Sequence, residues 1–174
     1  MKKWSEVDFS TLVLKSKKGG GSKITYADGT PFRFQVPTGR VMYDGISNFK
    51  SFTLEMPPDF LEWWARLDAE FSKEQPYRSN VSNNGLRVKV DPTTYFFDES
   101  KKTIFPNIEE GGLKGESLTC IIEIPGTYFF QETYGLIVRA YQVVLRTTAA
   151  VPVAAAAAAA AEDQLKGFAF LNDA

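Results

Sequence analysis

Residues 31–37 read PFRFQVP, with Phe32, Phe34 and Val36 separated by Arg33 and Gln35. A period of two puts the three apolar side chains on one face of a strand and the two polar ones on the other. The same texture recurs along the chain. TLVLK (11–15) and KITYA before the turn residues DGT predict an early strand pair, joined by the Gly-rich, lysine-bearing loop SKKGGGSK. RVMY, FKSFTLEM, LRVKV, TTYFF, KTIF and SLTCIIEI continue the β-prone pattern, and LRVKV sets Arg87 and Lys89 on one face. GTYFFQETYGLIVRAYQVVLR (126–146) predicts strand, turn and strand, with the turn at Tyr134 and Gly135.

One segment breaks this period. In residues 57–74 (PPDFLEWWARLDAEFSKE), Phe60, Trp64, Leu67 and Phe71 fall at i, i+4, i+7 and i+11, which is one apolar face of a helix. Pro58 suits its entry and Asp59 is the expected N-cap. Packing accounts for Trp64 on this helix. QPYRSNVSNNG (75–85) and NIEEGGLKGES then predict polar loops.

Several strands, one helix and several more strands define a mainly β protein. The arrangement expected is an OB-fold-like antiparallel Greek-key barrel with one inserted α-helix, lying between the third and fourth barrel strands. A jelly roll is the competitor, but it has less reason for a central helix. At 174 residues the chain is expected to hold one domain, residues 1–148, and an appendage, residues 149–174.

Composition narrows the chemistry. The sequence contains no histidine, which removes the commonest general base, the commonest zinc ligand and every Ser-His or Cys-His pair. Cys120 is the only cysteine and sits in the apolar run LTCIIEI, so a buried inert thiol is expected rather than a nucleophile or a disulfide. Acidic pairs such as Glu109 with Glu110 and Asp98 with Glu99 fall in polar stretches and are expected to be solvated. We therefore expect no catalytic residue, no metal and no cofactor. No apolar run reaches the ~20 residues needed to span a bilayer, and MKKWSEVDFS lacks the apolar stretch of a secretory signal. An intracellular protein without a membrane partner is expected.

Net charge is −1, but its distribution is uneven: residues 1–50 carry nine Lys/Arg against four Asp/Glu, and residues 51–110 carry seven against eleven. The basic third overlaps a chain that is 14% aromatic. Basic and aromatic side chains interleaved on a β surface suit a single-stranded nucleic acid, because cations neutralise phosphates while flat rings stack on unpaired bases. The candidates are Lys23, Arg33, Tyr43, Lys50, Arg87, Lys89, Tyr128, Phe130 and Arg139. In FRF the phenylalanines are expected in the core, leaving Arg33 outside. Tyr128 and Phe130 share a face and Phe129 takes the other.

Three segments carry a family resemblance. They are GGGSKITYADGTPFRFQVPTGRVMYDGISN, the helix DFLEWWARLDAEF and the closing GTYFFQETYGLIVRAYQVVL. Together they resemble single-stranded DNA-binding proteins of phages and large DNA viruses. The resemblance implies an OB-fold core that binds single strands without sequence preference, and a C-terminal tail that touches replication partners. It places Lys23, Tyr26, Arg33, Gln35, Tyr43, Tyr128, Phe130 and Arg139 at the groove. It implies single-stranded DNA as the partner, with RNA admitted by the same chemistry, homo-oligomerisation open, and the host cell replication compartment as location if the source is viral.

The tail departs from that pattern. Its acids are only Glu162, Asp163 and Asp173, and its connector is polyalanine. Alanines are strong helix formers but offer no large side chain to anchor them, so a semi-rigid spacer, helical or flexible, is expected. Phe168, Phe170, Leu171 and Asp173 at its tip are the expected partner-binding element. The alternative reading is a viral structural or assembly β-domain whose tail docks into a neighbouring subunit.

Overall fold

A computed structural model describes residues 1–18, 20–72, 76–104 and 112–146. The tail residues Phe168, Phe170, Leu171 and Asp173 lie outside the described residues, as do Glu109 and Glu110. Two short 3₁₀ turns, Trp4–Glu6 and Phe9–Thr11, precede the first strand. The strands are β1 (Leu12–Ser16), β2 (Ser22–Tyr26), β3 (Arg33–Gln35), β4 (Gly39–Gly45), β5 (Ser51–Glu55), β6 (Val81–Ser82), β7 (Gly85–Lys89), β8 (Tyr95–Phe97), β9 (Thr103–Ile104), β10 (Ser117–Phe130) and β11 (Thr133–Arg146). A four-residue helix, α1 (Ile46–Phe49), joins β4 to β5, and the main helix, α2 (Pro58–Phe71), follows β5.

Five strand segments close on themselves. β4 pairs with β5, β5 with β7, β7 with β11, β11 with β10, and β10 with β4. Every pairing in this ring is antiparallel except β7 with β11, which is parallel. β3 also pairs with β10, so residues 33–45 act as one bent first strand shared between two neighbours. This is an OB-like barrel, as the strand pattern predicted. The helix sits between the second and third ring strands, not between the third and fourth. The early strands β1 and β2 pair with each other at the sheet edge and do not enter the ring count.

The core is aromatic. Phe32, Phe34, Phe52, Phe60, Trp64 and Leu67 are fully buried. Alternation in β3 works as the pattern demands, since Phe32, Phe34 and Val36 all point inward. The helix buries Phe60, Trp63, Trp64 and Leu67. Trp63 stacks on Phe60 at 5.7 Å and meets the Phe34 edge at 5.1 Å, while Trp4 and Phe9 from the N-terminal turns close over it at 5.8 and 5.3 Å. The N-cap is Pro57 and not Asp59. Pro58 occupies the first turn, and Asp59 follows it with its own carboxylate accepting from the Phe60 N–H at 2.9 Å. Asp59 still favours the helix start as a negative charge on the N-terminal dipole.

The β10–β11 hairpin departs most from the sequence pattern. β10 runs unbroken through Pro125, with its register shifting between Glu123 and Gly126, so the proline sits at a bulge where no ladder donor is required. The turn lies at Gln131 and Glu132, both in the left-handed region (φ 47° and 61°), and not at Tyr134 and Gly135. Gly135 serves another purpose. It stands opposite Tyr128, and a Cβ there would sit 2.7 Å from the tyrosine ring. The glycine makes room for an aromatic to lie across the ladder.

Candidate nucleic-acid interface

The outer face of β5 and β7 forms the floor of a groove enclosing about 830 Å³. Cross-strand pairing aligns Tyr43, Thr53 and Arg87 in one row, and Gly45, Ser51 and Lys89 in the next. Arg87 and Lys89 are exposed because Leu86 and Val88 take the inward positions of the same strand. The Arg87 side chain donates through Nε to the Ser51 hydroxyl at 3.3 Å, and no described carboxylate pairs with either cation. Lys50 lies beside them. Its carbonyl accepts from the Val90 N–H at 2.7 Å, and the lysine side chain is exposed.

Aromatic rings bound this floor on two sides. On one side a register shift between Val41 and Tyr43 turns both Met42 and Tyr43 outward, so Tyr43 is 52% exposed. Tyr43 and Phe49 flank Gly45, where a Cβ would lie 2.7 Å from one ring and 3.2 Å from the other. On the other side the tip of the β10–β11 hairpin overhangs the groove with Tyr128 and Phe130, the latter 66% exposed.

The loop 76–82 supplies the remaining wall with Tyr77, Arg78 and Asn80. It is fastened from both strands and from the helix. The Arg78 N–H donates to the Tyr134 carbonyl at 2.7 Å, and the Arg87 N–H donates to the Asn80 carbonyl at 2.8 Å. Asp68 of α2 accepts from the Tyr77 hydroxyl at 2.6 Å and from the Ser79 hydroxyl at 2.5 Å. Burial pushes the Asp68 carboxyl above its ordinary value, against the opposing hydrogen bonds from Ser79 and Tyr77. Burial together with the bond to Asp68 also raises the Tyr77 phenol.

Of the eleven candidates, Arg87, Lys89, Tyr128 and Phe130 line this groove, with Tyr43 and Lys50 at its margin. Lys23 is exposed on β2, away from the floor. Tyr26 and Arg33 line a separate recess of about 540 Å³ that also includes Lys2. There the Tyr26 hydroxyl donates to the Arg33 carbonyl at 3.1 Å, Lys2 Nζ lies 4.9 Å from the ring centroid, and burial raises the phenol pKa to about 12.

Three expectations need correction. Gln35 is 2% exposed, because the N-terminal segment pairs alongside it: its N–H donates to the Lys2 carbonyl at 3.0 Å and Lys3 bridges to it. Arg33 and Arg139 are not free cations. Both donate to Glu123, which is 5% exposed: Arg33 through Nε, and Arg139 through Nη2 at 2.6 Å. Arg139 also reaches Asp91 at 3.4 Å, and Arg33 stacks 3.7 Å from the Tyr141 ring centroid. Partial burial opposes it, but bonds from Thr93 and the Arg139 guanidinium hold the Asp91 carboxyl below its ordinary value.

The candidate list missed Thr53, Tyr77, Arg78, Phe49 and Phe129. An aromatic beside an arginine in the polar loop QPYRSN was the available signal for Tyr77 and Arg78. Phe129 takes the face opposite Phe130, as alternation predicts, and is itself 48% exposed, so both faces of the hairpin tip meet solvent. Cys120 is fully buried and burial raises its thiol pKa, as its apolar run predicted. Asp98 holds a turn, accepting from the Ser100 hydroxyl and the Lys102 N–H. Among the described residues no cluster of acidic or cysteine side chains could hold a metal, and no helix is long and apolar enough to cross a membrane.

Fold and groove together define an OB-type barrel, a class whose second and third strands and adjoining loops bind oligonucleotides or oligosaccharides. No family model matches the chain, and no curated protein matches its sequence. Among solved structures, the fold is similar to that of the single-stranded DNA-binding protein from bacteriophage Enc34. Its C-terminally truncated form superimposes with a TM-score of 0.50 at 13% identity, covering 81% of this chain and 98% of that one. A further structure of the same protein gives 0.50 at 13% identity, covering 78% and 89%. A structure of it in complex with ssDNA gives 0.49 at 14% identity, covering 80% and 97%.

Proposed function

We propose that the chain is a non-enzymatic single-stranded DNA-binding protein that engages its ligand without sequence preference. One observation carries the reading: Arg87 and Lys89, unpaired with any described carboxylate, lie on a floor bounded by the exposed rings of Tyr43 and Phe49 and of Tyr128 and Phe130. Such a floor neutralises phosphates, and such walls stack unpaired bases at about 1–3 kcal/mol per base. A duplex hides its bases from these rings, so the groove favours single strands. The reading places the protein in replication or recombination, coating exposed strands inside the cell, and in the host replication compartment if its source is viral.

Fluorescence anisotropy with oligo-dT, U-rich RNA and duplex probes across a salt titration tests this. Tight dT binding that weakens with salt, with little duplex affinity, is expected. Equal duplex binding, or none to any probe at low salt, removes the reading. Trp63 and Trp64 are buried, so quenching on binding should appear in tyrosine emission.

In the same reading residues 1–148 form the binding domain and residues 149–174 a spacer and partner-binding tail. Phe168, Phe170, Leu171 and Asp173 would contact replication proteins or another copy of the chain. Deleting residues 162–174 is expected to leave folding intact, with DNA affinity unchanged or raised. A loss of thermal stability on deletion would make the tail part of the domain.

A further inference from the structure

The β1–β2 hairpin presents a concentrated cationic surface. Lys15, Lys17, Lys18 and Lys23 are all exposed, and residues 12–26 contain no acid. Lys15 and Lys23 stand directly opposite one another in the ladder. Like charges in that register destabilise a sheet, so the pair has no structural value of its own. No described carboxylate forms an ion pair with any of the four.

Backbone geometry holds this hairpin against the aromatic tip of β10. Gly20 and Gly21 both have positive φ (97° and 77°). A Cβ on Gly21 would meet the Thr127 carbonyl at 2.5 Å, and one on Gly20 would sit 3.4 Å from Phe129. The Thr127 hydroxyl accepts from the Ser22 N–H at 2.8 Å and donates to the Tyr134 hydroxyl at 3.0 Å. The hairpin that bears the lysines is thus docked at Thr127 and Phe129, while Phe130, on the opposite face of the same strand tip, lines the groove.

We propose that this hairpin is a second phosphate-binding surface for the same single strand of DNA. The strand leaves the groove at Phe130, passes over the hairpin tip, stacks a base on Phe129 and runs along the lysines. This rests on the proposed groove function and extends it, because it makes affinity depend on strand length beyond what the groove holds.

The test compares full-length wild type, K17A/K18A, F129A and a control, K102A/K114A, which removes equal charge from turns elsewhere. Each is titrated with dT4 and dT20 at two or more salt concentrations. For K17A/K18A we expect dT4 binding unchanged and dT20 binding weakened, with the dT20 log–log salt slope shallower by about 1.4, from two contacts at roughly 0.7 each. F129A should weaken dT20 alone, with the control unchanged. Equal loss on both lengths, no loss on dT20, or equal loss in the control overturns the proposal while the groove reading stands. Failure of wild type to bind either probe overturns both. Thermal melts of each variant keep a folding defect separate from lost binding.

Discussion

Lys89 and Arg139 stand side by side on neighbouring ring strands, yet their charges are in opposite situations. They belong to one outward-facing row that runs Gly45, Ser51, Lys89, Arg139, Glu123 and Arg33 across six strand segments. At the β5–β7 end the neighbours are Ser51 and Gly45, so Lys89 and Arg87 keep their charge available to solvent. At the β10 end a nearly buried Glu123 sits between two arginines, with Asp91 on the far side of one of them. Two guanidiniums and two carboxylates there sum to zero. Lys89, Arg139 and Arg33 are all cations of this row, and the cross-strand neighbour decides whether each holds the fold or faces a ligand.

The largest effect is expected from removing the carboxylate that makes the difference. Glu123→Ala leaves two arginines without their shared partner and should lower stability by about 3 kcal/mol, the low end for a buried pair because both arginines are partly exposed. Chemical denaturation reads this. An unchanged midpoint would make the network ornamental and erase the contrast between the two ends.

Truncating the hairpin wall comes next. The Tyr128→Leu/Phe130→Ala variant should lose about 1–3 kcal/mol of dT affinity per unstacked base, with the salt slope unchanged. An altered slope with affinity preserved would mean that the rings act only as spacers.

The smallest expected effect separates the two ends most directly. R87A/K89A should weaken dT binding by about tenfold at low salt and flatten the salt slope by about 1.4, for two phosphate contacts. R33A/R139A should leave that slope unchanged and lower the melting temperature instead. If both double variants flatten the slope equally, the locked arginines reach phosphate after all.

Much of this molecule was legible in its sequence. The period-two run at residues 32–36 placed Phe32, Phe34 and Val36 inside, and the spacing of Phe60, Trp64 and Leu67 gave the helix its buried face. LRVKV exposed Arg87 and Lys89 as alternation required. The absence of histidine is a property of composition that no fold can alter. These readings succeed because strand and helix periods are set by residues within one or two turns of each other.

What tertiary structure decided lies at positions whose environment comes from far along the chain. Gly135 looked like a turn residue, but its place opposite the Tyr128 ring explains the glycine better, while two left-handed non-glycine residues make the turn. Tyr43 faces outward only because a register shift at Met42 interrupts the alternation. Gln35 is covered by Lys2 and Lys3, more than 30 positions away, and Arg33 is neutralised by a glutamate 90 residues on. Local pattern determines which way a side chain points from its own strand. Only the folded pairing of distant strands determines what it meets there, and in this protein that meeting decides which cations remain free.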